Sequence, residues 1–141
     1  MSSRTDADER GSVSVEFAIV MAAILLGFVA LAIYGGRVVQ AENDVRSAAH
    51  EAARAASLEG SPEAADAAAR SVAVANLIRS GVACGPSPQV VVDLSQFGPG
   101  GQVSVTITCT ASLGDVGSLG VGDTRAFTAS ATEVIDRFRS G

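Results

Sequence analysis

The chain contains no lysine and no tryptophan, one tyrosine, one histidine and two cysteines in 141 residues. Each scarcity removes a class of function. The ten basic residues are all arginines, spread from Arg4 to Arg139 without a cluster, and the formal net charge is -5. There is thus no patch through which counterion release could drive binding to nucleic acid, which is not expected as a partner. His50, the single histidine, lies in a helix-forming stretch with no Ser, Cys or second His set beside it as nucleophile and base. The spacing of Cys84 and Cys109 matches neither a CxxC redox pair nor a zinc-ligand set. No catalytic residue, metal site or cofactor is therefore assigned, and the chain is not expected to be an enzyme. Gly114, Gly117, Gly120 and Gly122 punctuate a Gly-rich loop, but it lacks the Lys and Ser/Thr of a phosphate-binding loop and opens no helix. Asp115 and Asp123 in that loop lack calcium-loop spacing and read as turn residues.

Aromatic residues are also scarce, 4% of a chain that is 48% hydrophobic. A core built from such a chain packs by close approach of Ala, Val, Leu and Ile rather than around large anchors. The length allows one modest domain.

What the sequence does have is a long apolar run. Phe17 to Tyr34 is an unbroken apolar stretch of 18 residues, the length at which a membrane-spanning helix becomes the default reading. At ~1.5 Å rise per residue, a helix from Val13 to Tyr34 spans about 30 Å, the thickness of the hydrocarbon layer. A buried core helix is the alternative, but a domain this small has no interior to surround it. The run is longer than the apolar part of a secretory signal and lacks an A-x-A-like cleavage site before a polar break. It continues instead into Arg37 to Ser57, which contains no Pro or Gly and carries a Glu42–Arg46 i,i+4 pair. One helix of about 45 residues is expected, on 3.6-residue periodicity. Its outer half bears a small-residue stripe, Val38, Ala41, Val45, Ala48, Ala49, Ala52 and Ala56, which needs a surface to pack on. Glu16 is the misfit at the start of the run. A carboxyl within hydrocarbon costs roughly 2.5 to 3.5 kcal/mol on insertion scales, which makes it a functional candidate, unless headgroups solvate it at the interface.

Gly60 suits the end of that helix, and Ser61-Pro62-Glu63 supplies the cap and first-turn Pro of a second, reaching about Arg79 and stopped by Gly81. Its apolar face is expected at Ala65, Ala68, Val72, Ala75 and Ile78, set against the stripe of the first helix or against a sheet. From Gln89 the period changes to two. Gln89 to Leu94 and Gln102 to Thr110 read as strands, the latter alternating Val103, Val105, Ile107 and Cys109 with Ser104, Thr106, Thr108 and Thr110. A turn-rich connector, Phe97 to Gly101, lies between them, and a third strand is expected from about Arg125 to Ile135. Antiparallel pairing about Phe97 would bring Cys84 and Cys109 close, so a disulfide is expected, with free buried cysteines as the alternative. The fold class is α+β: a long transmembrane helix continuing into a soluble helix, a second helix and a small three-stranded antiparallel sheet.

The segment Gly11-Ser12-Val13-Ser14-Val15-Glu16-Phe17 resembles the cleavage and assembly motif of type IV pilin-like precursors. In those, a Gly precedes the cut, and a Glu and an aromatic stand fifth and sixth in the mature chain. Within that superfamily, GSVSVEFAIV followed by AAHEAARAAS is similar to the TadE-like (tight adherence) pilus assembly proteins. Two positions depart from the family pattern: Met21-Ala22-Ala23 stands where members often carry a Pro, and Ala52 where they commonly have Gly. The resemblance implies a cut between Gly11 and Ser12 by a prepilin peptidase, and assembly roles for Glu16 and Phe17. The partners it implies are other pilin-like subunits and membrane lipid.

The resulting organisation is a cytoplasmic leader (1–11), a transmembrane part (12–36), an extracytoplasmic helical part (37–80) and a β-rich part (81–141). Arginines on both sides of the span leave orientation undecided by charge; the leader motif and the expected disulfide place the N-terminus inside. The expected function is a minor pilin or pseudopilin of a tight-adherence pilus or secretion assembly. The alternative is a single-span, signal-anchored extracytoplasmic binding module that does not polymerise.

Overall fold

A computed structural model describes residues 5–112 and 124–138, the side chains of 5–13 and 112 excepted. Two helices, α1 (Thr5–Ser57) and α2 (Pro62–Ser80), precede three strands, β1 (Gln89–Asp93), β2 (Gln102–Ser112) and β3 (Thr124–Val134). The chain divides into two compact units, Met1–Gly36 and Arg37–Gly141. The α+β class is thus observed, with a long apolar helix, a second helix and a three-stranded antiparallel sheet.

Helix α1 has 53 residues, more than the expected 45, because it begins ahead of Gly11. No Pro interrupts the sequence there, so the backbone can continue the helix ahead of Gly11. Its other end also differs from expectation. The helix stops at Ser57, where the Ser57 hydroxyl donates to the Arg54 carbonyl and the next two amides turn back to the carbonyls of Ala55 and Ala56. Gly60 does not take the left-handed conformation of a capping glycine; among the described residues only Gly81 and Gly100 have positive φ.

Helix α2 is capped at both ends as its sequence indicates. The Ser61 hydroxyl accepts from the Ala64 amide at 3.2 Å, and Pro62 opens the first turn, where a missing N–H costs nothing. At the other end Gly81 sits at φ 76°, with its N–H on the Ile78 carbonyl and the Val82 N–H on the Leu77 carbonyl. That pair of bonds is a Schellman closure, and Val82 and Leu77 both join the core.

The sheet has the order β1-β2-β3, antiparallel throughout. The connector between β1 and β2 is tight enough to require glycine at Gly101, where a Cβ would lie 1.9 Å from the Gln96 carbonyl oxygen. Period-two alternation decides the inner face: Val103, Val105, Ile107 and Cys109 are fully buried, with Ala111, Phe127 and Ala131 beside them. Helix α1 contributes Val45, Ala48, Ala49, Ala52, Ala53 and Ala56 to the same core, and α2 contributes Ala65, Ala69, Ala73 and Leu77.

The buried row of α2 corrects the sequence expectation. Ala65 is buried as expected, but Ala68 and Val72 are only half-buried and Ala75 and Ile78 are exposed, Ile78 to 74%. The row that packs runs every fourth residue through three alanines. Their small side chains let the helix backbone come close to the core it covers, whereas Val72 and Ile78 would hold it away.

Candidate anchoring and assembly segment

Within the described residues, α1 is the one helix long and apolar enough to cross a membrane, by length and composition. None of its most apolar window is buried by the rest of the chain. Phe17, Ile19, Leu26, Phe28 and Leu31 are each 65% or more exposed and fall on two opposite faces of the helix, with the exposed Leu25 and Val29 between them. Each large side chain left in water forgoes roughly 1.5 to 3 kcal/mol of burial. A surface of that kind is stable in hydrocarbon or against other apolar helices.

The four residues expected for processing and assembly all lie on α1. Gly11 and Ser12 are inside the helix, so the peptide bond between them is helical in the uncut chain. Opening a helix at glycine is easier by about 1 kcal/mol than at alanine. Glu16 and Phe17 are both exposed, and among the described residues Glu16 has no hydrogen-bond or ion-pair partner. No described side chain neutralises that carboxyl at the start of the apolar run. Three glycines on the same helix, Gly27, Gly35 and Gly36, have no neighbour within 4 Å of where a Cβ would stand.

Cys84 and Cys109 are joined as a disulfide, with their Cα atoms 5.0 Å apart. The sulfur bridge is helped by a short β-bridge between Cys84 and Ala111 and by the Gly85 N–H, which donates to the Thr110 carbonyl. Gly85 permits that approach, since a Cβ there would lie 3.2 Å from the same oxygen. Closing a loop with a separation of 25 residues is worth about 3.5 kcal/mol in the chain-entropy account.

The other candidates stay apart. His50 is an exposed residue of α1, and among the described residues no group of three His, Cys, Asp or Glu could hold a metal ion. The Gly-rich loop with Asp115 and Asp123 lies outside the described residues.

Two features went unread in the sequence. Across β2 and β3 the outward hydroxyls pair: Ser104 with Thr132, Thr106 with Ser130 at 2.7 Å, and Thr108 with Thr128 at 3.1 Å. The signal was present as Ser/Thr at alternate positions of both strands, but it becomes visible only when the register is known. The second is Arg70 of α2, which donates to the Val90 carbonyl of β1 at 2.7 Å while its Nε holds Asp66 at 2.8 Å. That hydrogen bond from Arg70 holds the Asp66 carboxyl below the usual range. Asp93 is lowered too, by the backbone N–H and then the hydroxyl of Ser95.

No curated protein matches the chain, and no solved structure does. A family model does match, over residues 11–54, which begins at Gly11 and takes in Glu16, Phe17, the apolar run and most of the alanine stripe. Over that segment, less than half of its length, the chain is similar to the TadE-like protein family.

Proposed function

We propose that this chain is a minor pilin-like subunit of a tight-adherence pilus or related secretion assembly. In this reading a prepilin peptidase removes residues 1–11, and α1 from Ser12 onward enters the assembly from the membrane with the N-terminus on the cytoplasmic side. The TadE-like match supports involvement in pilus assembly. The single observation that carries the finer role is Glu16, a carboxyl with no partner among the described residues, at the head of an exposed apolar helix. Cleavage after Gly11 leaves a cationic amine on Ser12. In the apolar centre of an assembly, the Glu16 carboxylate of one subunit neutralises the amine of a neighbour, which makes it tolerable to bury either charge. The small residues Ala18, Ala22, Ala23 and Gly27 leave room for close helix contacts there.

The test is the mature N-terminus. Mass spectrometry of the membrane-extracted protein is expected to find a chain beginning at Ser12. Retention of residues 1–11 in the assembled pool would remove the processing step and leave a single-span anchored module.

A further inference from the structure

The two sulfurs of the disulfide are not equally placed. Cys109 sits on β2, the central strand, with Phe127 of β3 as its Cα partner, and both are buried, Cys109 completely. Cys84 sits in a strap, residues 82–88, that links the end of α2 to the start of β1. The strap bridges to Ala111, which is already paired with Arg125 on its β3 side, so it runs along the other, outer side of β2. Cys84 is half-buried there, and Ala83, Gly85, Pro86 and Ser87 around it are exposed. The strap is lightly held. Val82 bonds back to Leu77, Cys84 makes a single β-bridge with Ala111, and the Gly85 N–H reaches the Thr110 carbonyl. From there to Gln89, which pairs with Thr108, the strap carries two residues more than continuous register needs, and Pro86 and Pro88 have no N–H to give β2.

Thiol–disulfide exchange is an in-line displacement, in which the incoming thiolate approaches the attacked sulfur from the side opposite the leaving one. At Cys84 that side is the sheet edge, where the strap meets solvent. At Cys109 it lies across the central strand toward Phe127, within the core. The charge released favours the opposite choice, because an anion leaving on Cys109 starts among apolar side chains. Access outweighs it. A water-borne thiol reaches Cys109 only when β2, paired with β3 over its whole length, parts from its neighbours, an opening close to global unfolding. We propose that Cys84 is the sulfur at which the bridge exchanges with low-molecular-weight thiols and disulfides, with Cys109 as the resolving partner. In the reducing direction a thiolate bonds to the Cys84 sulfur as the Cys84–Cys109 bond breaks. The electron pair leaves on the Cys109 sulfur, which takes a proton from water. A second thiolate then attacks the small molecule's sulfur and frees Cys84, so two thiols are oxidised to one disulfide as the protein gains two electrons. Oxidation runs the same steps backwards from the small disulfide. The proposal is independent of cleavage at Gly11 and of the role of Glu16.

Glutathione serves as the probe. The full chain in detergent micelles is treated with reduced glutathione, quenched in acid, digested with pepsin and read by mass spectrometry. At early times the adduct is expected on Cys84 at about ten times its level on Cys109, because access sets which sulfur is attacked. The rate is expected to stay constant in urea below the unfolding transition, since the strap needs no global opening. An even split, or an adduct mainly on Cys109, overturns the proposal. So does a rate that follows the unfolded fraction, or no reaction of the folded chain, because the bridge then opens only with the core. A second measurement uses Cys109→Ala and Cys84→Ala, each with one thiol, and glutathione disulfide. Cys84 in the first should be modified about tenfold faster than Cys109 in the second, and denaturing urea should erase the difference. Equal rates in two variants that circular dichroism shows to be folded overturn the proposal. Where either variant is unfolded, the position of the adduct in the wild-type chain decides.

Discussion

Helix α1 is apolar in two different ways. Between residues 14 and 36 its large side chains fall on opposite faces and none of the most apolar window is covered. Between residues 45 and 56 the apolar residues are one valine and six alanines, and all but Ala55 form a single fully buried stripe. The first pattern has no preferred face, so only a surrounding apolar medium or several helices satisfy it. The second has one face and small side chains, so a thin layer of helix and sheet is enough. Side-chain size and period, not apolar content, separate the part that could span a membrane from the part that packs into the core.

The contrast can be broken on the soluble side by removing what closes that thin core. Cys84→Ser with Cys109→Ser should cost about 3.5 kcal/mol, seen as a large drop in Tm for the full chain in detergent. Insertion into the membrane, assayed by carbonate extraction, should be unaffected. Overpacking gives the next largest effect. Ala49→Leu, at a fully buried position, should destabilise by roughly 1 to 3 kcal/mol, whereas Ala23→Leu in the exposed run should leave Tm unchanged. Equal effects at the two sites would erase the distinction. Glu16→Ala sharpens it on the anchoring side: Tm and insertion stay as they are, and the fraction incorporated into assembled pili falls several-fold. Normal incorporation would return Glu16 to a carboxylate solvated at the interface.

The smallest effect is acid sensitivity. Asp66 and Asp93 both have carboxyls held below their usual range by hydrogen bonds, from Arg70 and from Ser95. A lowered folded-state pKa contributes stability that is fully present above the unfolded value, about 3.9, and is lost as pH falls through the folded values. Both groups are exposed, so solvent screens them and the loss is small. Tm should decline modestly below about pH 4, and less so in Asp66→Asn.

Much of this was legible before the structure, and the failures share a cause. The alternation of Val103, Val105, Ile107 and Cys109 against hydroxyls placed β2 and its inner face, because period two has only one solution there. The stripe on α1 was readable for the same reason, and the structure adds only Ala53 to its outer half. Helix α2 was misread because alanine stands at so many positions that several faces look apolar. Packing chose the row with the smallest side chains, which periodicity cannot rank. The end of α1 was misplaced because Ser57 closes it locally, before Gly60 is reached. At Glu16 and Gly11 the sequence carries nearly all the information, since no described residue supplies a partner for that carboxyl.

The disulfide has one more consequence, for how the protein breaks. Cys84 and Cys109 turn the chain from 84 to 109 into a covalent ring that holds all of β1 and the larger part of β2. A protease that nicks the turn at Gly98 to Gly101 therefore cuts the backbone without releasing either piece. The nicked protein migrates as one species until a thiol is added, when it separates into two, so damage at this hairpin is invisible to any assay run without reductant.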